Sequence, residues 1–197
     1  MKLKLLYTVL LTASLAYAQD SVQNQKYRLH AAAGLFKSSY IYANEPGMFL
    51  QAGGGFKMNR NFWFNFDILH FESRGSSQST ILSPDIVNTT GWMFMPNFSK
   101  DFNISPRHQL TATVGFFYLR EYSSRPEFFS VEDEQGNQGV VLYMSDQKND
   151  DAGLFLSAGY KYRLNPNILI GLQLSGYVQL YLEPESFMIG PSIEFRL

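Results

Sequence analysis

From residue 26 to the last position, apolar and polar side chains alternate with a period of two, and no helix-period stripe occurs after residue 20. Alternation at every second residue is the pattern of a strand whose two faces meet different surroundings. Eight segments carry it, at 26–37, 47–58, 61–72, 87–99, 107–122, 152–164, 167–182 and 186–197. Their connections also alternate in kind. Asn-rich turns at 59–61 and 165–167 and a slightly longer one at 100–106 are short, whereas polar links occupy 38–46, 73–85 and 123–151. Short and long ends alternating along an even number of strands describe an antiparallel meander. In the longest link, residues 127–131 and 139–144 are apolar and flank Glu132-Asp133-Glu134-Gln135-Gly136-Asn137. These runs fall short of the ~9–11 residues of a tilted spanning strand. They predict a hairpin standing above the body, with ten strands as the alternative.

Residues 1–18 have the three parts of a secretory signal peptide: Lys2 and Lys4, an apolar core over 5–15, and Ala16-Tyr17-Ala18 before the polar lead-in at 19–25. Taking Lys2 and Lys4 from the 16 basic residues leaves 14 against 17 acidic ones, a net charge of −3. That balance gives no support to a nucleic-acid partner. Zero cysteines exclude a disulfide framework, a thiolate metal site and a Cys nucleophile. No run after the signal peptide approaches the ~20 apolar residues of a membrane helix, so contact with a bilayer would have to be made by strands.

The two faces decide between a soluble ligand-binding barrel, apolar inside, and a membrane barrel, apolar outside. One face carries bulky uncharged residues along whole strands: Leu29 and Leu35, Leu50 and Phe56, Phe62 to Ile68, Leu110 to Tyr118, Leu154 to Tyr162, Ile170 to Leu174, and Phe187 to Leu197. The other mixes Gly and Ser with charges of both signs: Arg28, Lys57, Lys161, Arg163 and Arg196 against Asp67, Glu121 and Glu194. Glycines weaken a water-facing strand without return. In a narrow lumen they make room for long side chains, and charges there must be paired. The expectation is an all-β, closed antiparallel up-and-down transmembrane β-barrel of eight strands over 26–197, with a lumen network of those eight charges.

Aromatic residues, 16% of the chain against 17% charged, gather at strand ends. Phe56, Phe62, Phe98, Tyr160, Tyr162 and Phe195 lie near the short turns, and Tyr40, Tyr42, Phe49, Tyr118, Tyr122 and Phe187 near the long links. Two girdles at the two membrane–water interfaces account for this, because amphipathic rings favour the headgroup layer.

With a signal peptide, eight alternating segments and short turns opposite long loops, the chain resembles the small OmpA/OmpX/OmpW-type outer-membrane β-barrel domains. Its last segment, with Ile193, Phe195 and Leu197 alternating to the end, resembles the C-terminal signal read by the barrel-insertion machinery. It ends on Leu197 where many members have an aromatic residue. The resemblance implies a Gram-negative outer membrane, outer-membrane lipids as partners, both termini in the periplasm and the long loops outside the cell. Family functions range over anchoring, adhesion, solute passage and lipid modification. A surface or structural role through the loops, with an extracellular or envelope protein as partner, is expected, with no enzyme activity, catalytic residue, metal or cofactor.

Two alternatives follow from residues. His70, outward near a strand end in Leu69-His70-Phe71-Glu72-Ser73, resembles the outward His of lipid A deacylases. Those enzymes place Ser two residues on, where this chain has Glu72, and Ser73 points away. A narrow solute channel is the other alternative. His30 is expected as a hydrogen-bonded plug residue, and the acids at 132–134, 146, 150 and 151 as solvated loop charge.

Overall fold

The computed structural model describes residues 25–38, 45–59, 61–77, 85–132, 138–179 and 184–197. The expected signal peptide, all but the last residue of the lead-in, the middle of the 38–46 link with Tyr40 and Tyr42, residues 78–84 of the 73–85 link, and the loop acids Asp133 and Glu134 lie outside the described residues. Eight strands follow one another: β1 (Tyr27–Ser38), β2 (Gly47–Asn59), β3 (Phe62–Ser77), β4 (Asp85–Asn103), β5 (His108–Glu132), β6 (Gln138–Asn165), β7 (Ile168–Gln179) and β8 (Pro184–Arg196). Each pairs antiparallel with the next, and β8 returns to β1 to close the barrel.

The closing seam runs from Arg28↔Arg196 to Ser38↔Ser186. It steps from Ala32↔Ser192 to Leu35↔Ile189 across two glycines that let the backbones touch. A Cβ on Gly34 would overlap the Ile189 carbonyl oxygen, and one on Gly190 the Ala33 carbonyl oxygen. Any larger residue there would pry the seam apart.

Because side chains alternate across a strand, this register turns the whole apolar set outward at once. Leu35, Leu50, Phe116, Leu172 and Phe187 are each more than half exposed. An unbroken apolar exterior of this extent marks a membrane-facing surface. Arg28, Gln51, Asp67, Gln109, Glu194 and Arg196 are buried on the other side of the same strands.

Three expectations change. The stretch 123–151, expected as a link, is strand for most of its length: β5 and β6 pair without interruption as far as Glu132↔Gln138. The apolar runs at 127–131 and 139–144 therefore extend two existing strands and add none. In the same way β3 and β4 pair up to Ser77↔Asp85, and β4 continues to Asn103 through the expected turn. The outer ends of β3 to β6 share one physical reason. Beyond the hydrocarbon both faces of a strand are wet, so the hydrophobic period fades while the hydrogen-bonded ladder goes on. The second change concerns Phe49, expected in a girdle; it is buried in the lumen. The third is that the layered charge network occupies only the half of the lumen nearer the short turns.

The outer half is packed like the interior of a soluble protein. Phe36, Phe49, Leu69, Phe71, Met93, Met95, Phe117, Leu119, Phe155, Tyr177 and Met188 form one buried cluster. The Phe36 and Phe71 rings stack with centroids 4.3 Å apart. Replacing outward Leu172 with Arg places a charge against mid-bilayer lipid. It is expected to cost about 2–4 kcal/mol, read as a lowered urea midpoint of the barrel refolded in vesicles.

Candidate functional site

The polar half of the lumen is built in layers from the turn end upward. Trp63, on β3, is buried and donates its Nε1 hydrogen to Asp101 Oδ2 at 2.9 Å. The Arg28 and Arg196 guanidinium carbons lie 4.8 and 5.5 Å from the centre of its ring, and Lys57 Nζ lies 5.8 Å away. Cations over an aromatic face are attracted by its negative quadrupole. Arg196 also donates to Asp101 Oδ2 at 2.9 Å.

Above this floor sits Glu194, on β8 and fully buried. Lys161 Nζ lies 2.5 Å from its Oε2, Arg196 Nε 2.6 Å from its Oε1, and Arg28 Nη1 3.5 Å from its Oε2. Arg28 continues the network by donating to Asn65 Oδ1 at 2.8 Å and to Ser99 Oγ. The next layer centres on Asp67. Its Oδ2 accepts from Gln51 at 2.8 Å and Asn97 at 3.1 Å, and His30 Nε2 lies 2.8 Å from its Oδ1. Gly53 makes this possible, since a Cβ there would overlap Asp67 Oδ1 and crowd His30. Gln173 then donates to Gln51 Oε1 at 3.0 Å and Ser175 Oγ at 2.8 Å. The free space among these layers is a cavity of about 30 Å³, room for one or two waters.

Of the eight charges expected to form one network, the structure brings together Arg28, Lys161, Glu194 and Arg196. Asp67 heads the layer above, joined to Arg28 through Asn97 and Asn65. Lys57 is exposed at the rim, and Arg163 Nε has no hydrogen-bond partner among the described residues. Glu121 stands at the other end of the barrel, opposite Gly91 and Asn149 across the ladder and beyond the apolar cluster. The residue that sequence reasoning missed is Asp101, which ties Trp63 to Arg196. It was assigned to a turn, yet Phe98, Lys100 and Phe102 continue the outward period and place Asp101 inward.

The expected girdle residues Phe56, Phe62, Phe98 and Tyr160 near the turns, and Tyr118, Tyr122 and Phe187 at the other end, all lie on the outer surface with at least two-fifths of each exposed. Tyr162 and Phe195 share that face, half-buried. Ile193 is outward and half-buried, and Leu197 outward and exposed. The outward His70 stacks on Trp92 at 4.5 Å, with Nδ1 3.1 Å from the Gly91 carbonyl and Nε2 3.3 Å from Glu72 Oε1. Ser73 is buried on the opposite face and donates to the Glu45 carbonyl at 3.2 Å. It therefore stands out of reach as a nucleophile for His70.

Past Asn88↔Ser124 and Gly153↔Gln179, the described ladder of β5 and β6 continues only with each other. The base of this projecting ribbon carries an exposed ion pair, Arg120 Nε to Asp150 Oδ1 at 2.9 Å, with Arg120 Nη2 also donating to Tyr118 Oη at 3.0 Å. Hydrogen bonding to Arg120 holds the Asp150 carboxyl below its usual range and keeps the guanidinium charged.

Neither a protein-family model nor a curated protein matches the chain. Solved structures do. The N-terminal β-barrel domain of Pseudomonas aeruginosa OprF is similar with a TM-score of 0.52 at 14% identity, over 89% of this chain and 100% of that one. Neisserial surface protein A gives 0.54 at 14%, over 87% and 97%. The outer membrane protein OprG of Pseudomonas aeruginosa gives 0.52 at 10%, over 90% and 100%. At these identities the likeness is one of fold.

Glu194→Gln would leave Arg28, Lys161 and Arg196 facing one another without their shared carboxylate. The expected cost is about 3–5 kcal/mol in a denaturant titration of the refolded barrel. The Asp150 contribution has the opposite exposure and a definite sign. A carboxyl more acidic folded than unfolded stabilises fully above its unfolded pKa and loses that effect as pH falls through its folded one. Protection factors at residues 118–122 and 148–152, the exchange rates corrected for the intrinsic rate at each pH, are therefore expected to fall on acidification, and Asp150→Asn to remove that fall.

Proposed function

For a chain with the closed eight-stranded fold of the small outer-membrane barrels, we propose an integral outer-membrane protein without enzyme activity that holds the β5–β6 hairpin in water to meet a partner. The observation that carries this reading is the contrast between a filled lumen and a projecting ribbon. Charge layers and an apolar cluster occupy the interior, so the residues free to meet anything large are outside it. Recognition by exposed segments on a rigid scaffold is the usual division of labour. Short turns and both ends of the described chain share one end of the barrel, which supports a periplasmic placement of the termini and an external hairpin. Outer-membrane lipids would cover the apolar face, and Ile193, Phe195 and Leu197 on the last strand would present the insertion signal.

The hairpin also suits a particular kind of contact. Among the described residues, β6 from Ser145 to Ala152 has no strand on its β7 side. A free strand edge offers its N–H and C=O groups to an extended segment of another protein. Across 120–152 eight acids (Glu121, Glu127, Glu132, Asp133, Glu134, Asp146, Asp150 and Asp151) stand against Arg120, Arg125 and Lys148. That excess favours a partner with basic side chains. The two alternative readings draw less support: the 30 Å³ of free polar space is small for a solute path, and Ser73 is turned away from His70.

Planar bilayers containing the refolded protein are expected to show conductance near zero; a steady open conductance would make the channel reading the better one. Trypsin added to intact cells is expected to cut after Lys148 and leave the barrel. Cleavage only after lysis would place the hairpin on the inner side.

A further inference from the structure

The outward surface of β4 to β7 is interrupted by a groove of about 390 Å³, in the roughly 300–1,000 Å³ range of small-molecule sites. Its floor is low because Ala112 and Ala158 face outward there. Phe102, Leu110, Tyr160 and Leu172, one row across the ladders, rise on its turn side, and Leu174 stands beside Ala158. An acyl chain lying over the two alanines meets the sides of these larger residues as well as the floor, and gains dispersion contacts accordingly.

Two of those walls lead to polar groups at the turn-side end. Lys100 Nζ lies 5.1 Å from the centre of the Phe102 ring and 5.1 Å from that of Phe62. The Tyr160 hydroxyl is hydrogen-bonded to His108 Nδ1, and Arg107 Nη1 donates to Tyr162 Oη at 3.3 Å. Among the described residues neither Lys100 nor Arg107 makes an ion pair. The described carboxylates of that end, Asp101 and Glu194, point into the lumen, where Arg28, Lys161 and Arg196 engage them. Near the turn side of this groove stand two outward cations, Lys100 by Phe102 and Arg107 by Tyr162, for which no described residue supplies a counter-charge. Cations at a membrane surface in this condition attract anionic headgroups, and a guanidinium binds phosphate oxygens with directed hydrogen bonds.

We propose that this groove is a binding site for one glycerophospholipid, its phosphate between Lys100 and Arg107 beside His108, and one acyl chain over Ala112 and Ala158. The site rests on the barrel lying in a bilayer and lies in the leaflet on the side of the short turns.

The test is native mass spectrometry of the full chain, refolded in dodecyl maltoside with trace phosphatidylglycerol. Wild type is expected to retain a single phospholipid. The double variant Lys100→Gln/Arg107→Gln, which leaves the groove intact, is expected to retain about tenfold less, the loss of a charge-assisted contact. Ala112→Leu/Ala158→Leu fills the floor and is expected to retain none, while Ala52→Leu, outward on β2, retains lipid as wild type does. Diacylglycerol with the same chains is expected to bind about tenfold more weakly than the phospholipid. Absence of lipid on wild type, equal retention by the filled-groove variant, equal binding of diacylglycerol, or full displacement by inorganic phosphate would each overturn the site. Heat-shifted gel migration of every variant in vesicles separates the two readings. A barrel that inserts and shifts yet holds no phospholipid defeats only this inference.

Discussion

A polypeptide that crosses hydrocarbon has to satisfy every backbone N–H and C=O from within itself, and in this chain the β1–β8 seam completes that condition. Once the seam is closed, much else is dictated. Eight strands enclose a space only wide enough for side chains, so the inward face must fill it. The outward face must be apolar over the height of the bilayer. Glycine at 34 and 190 serves the same demand locally, because a Cβ at either would run into a carbonyl of the facing strand.

The lumen meets the filling requirement in two ways, one per half. Near the turns, three cations and two carboxylates share Trp63, Asn65 and Ser99 in a continuous hydrogen-bonded stack. Towards the other end the filling is mainly apolar and rests mostly on close packing. The two solutions differ in what they specify. Buried charges are costly unless each partner is in place, so the polar half tolerates a narrow range of arrangements. The apolar half needs volume and shape, and tolerates exchange among residues of similar size.

How much of this could be read from the residues depended on whether a rule with a period applied. Strand number, order and the inward or outward sense of nearly every residue followed from alternation, since one misplaced register would have exposed Arg28 and Glu194 to lipid. Phe49 was misassigned because aromatic type and position near a strand end outweighed its parity; Met48 and Leu50, on either side, already marked it as inward. Asp101 was missed because the alternation was stopped at Ser99, two residues before it mattered. The ends of β5 and β6 were out of reach for a different reason: in water, a strand of Ser, Gln, Asn and Asp has no hydrophobic period to announce it. The pairing of particular charges depends on side-chain reach across the lumen, which no one-dimensional pattern contains.

The projecting part of β5 and β6 has a consequence of its own. A two-stranded ribbon in water is marginally stable by itself, so beyond Ser124 the hairpin borrows its order from the barrel beneath. Local opening therefore becomes easier with distance from that foundation, while the seam and the lumen layers stay shut. Whatever engages the ribbon supplies its missing neighbours and tightens it in the same act. The strength of such an encounter is set as much by how loose the free ribbon is as by the contacts it gains.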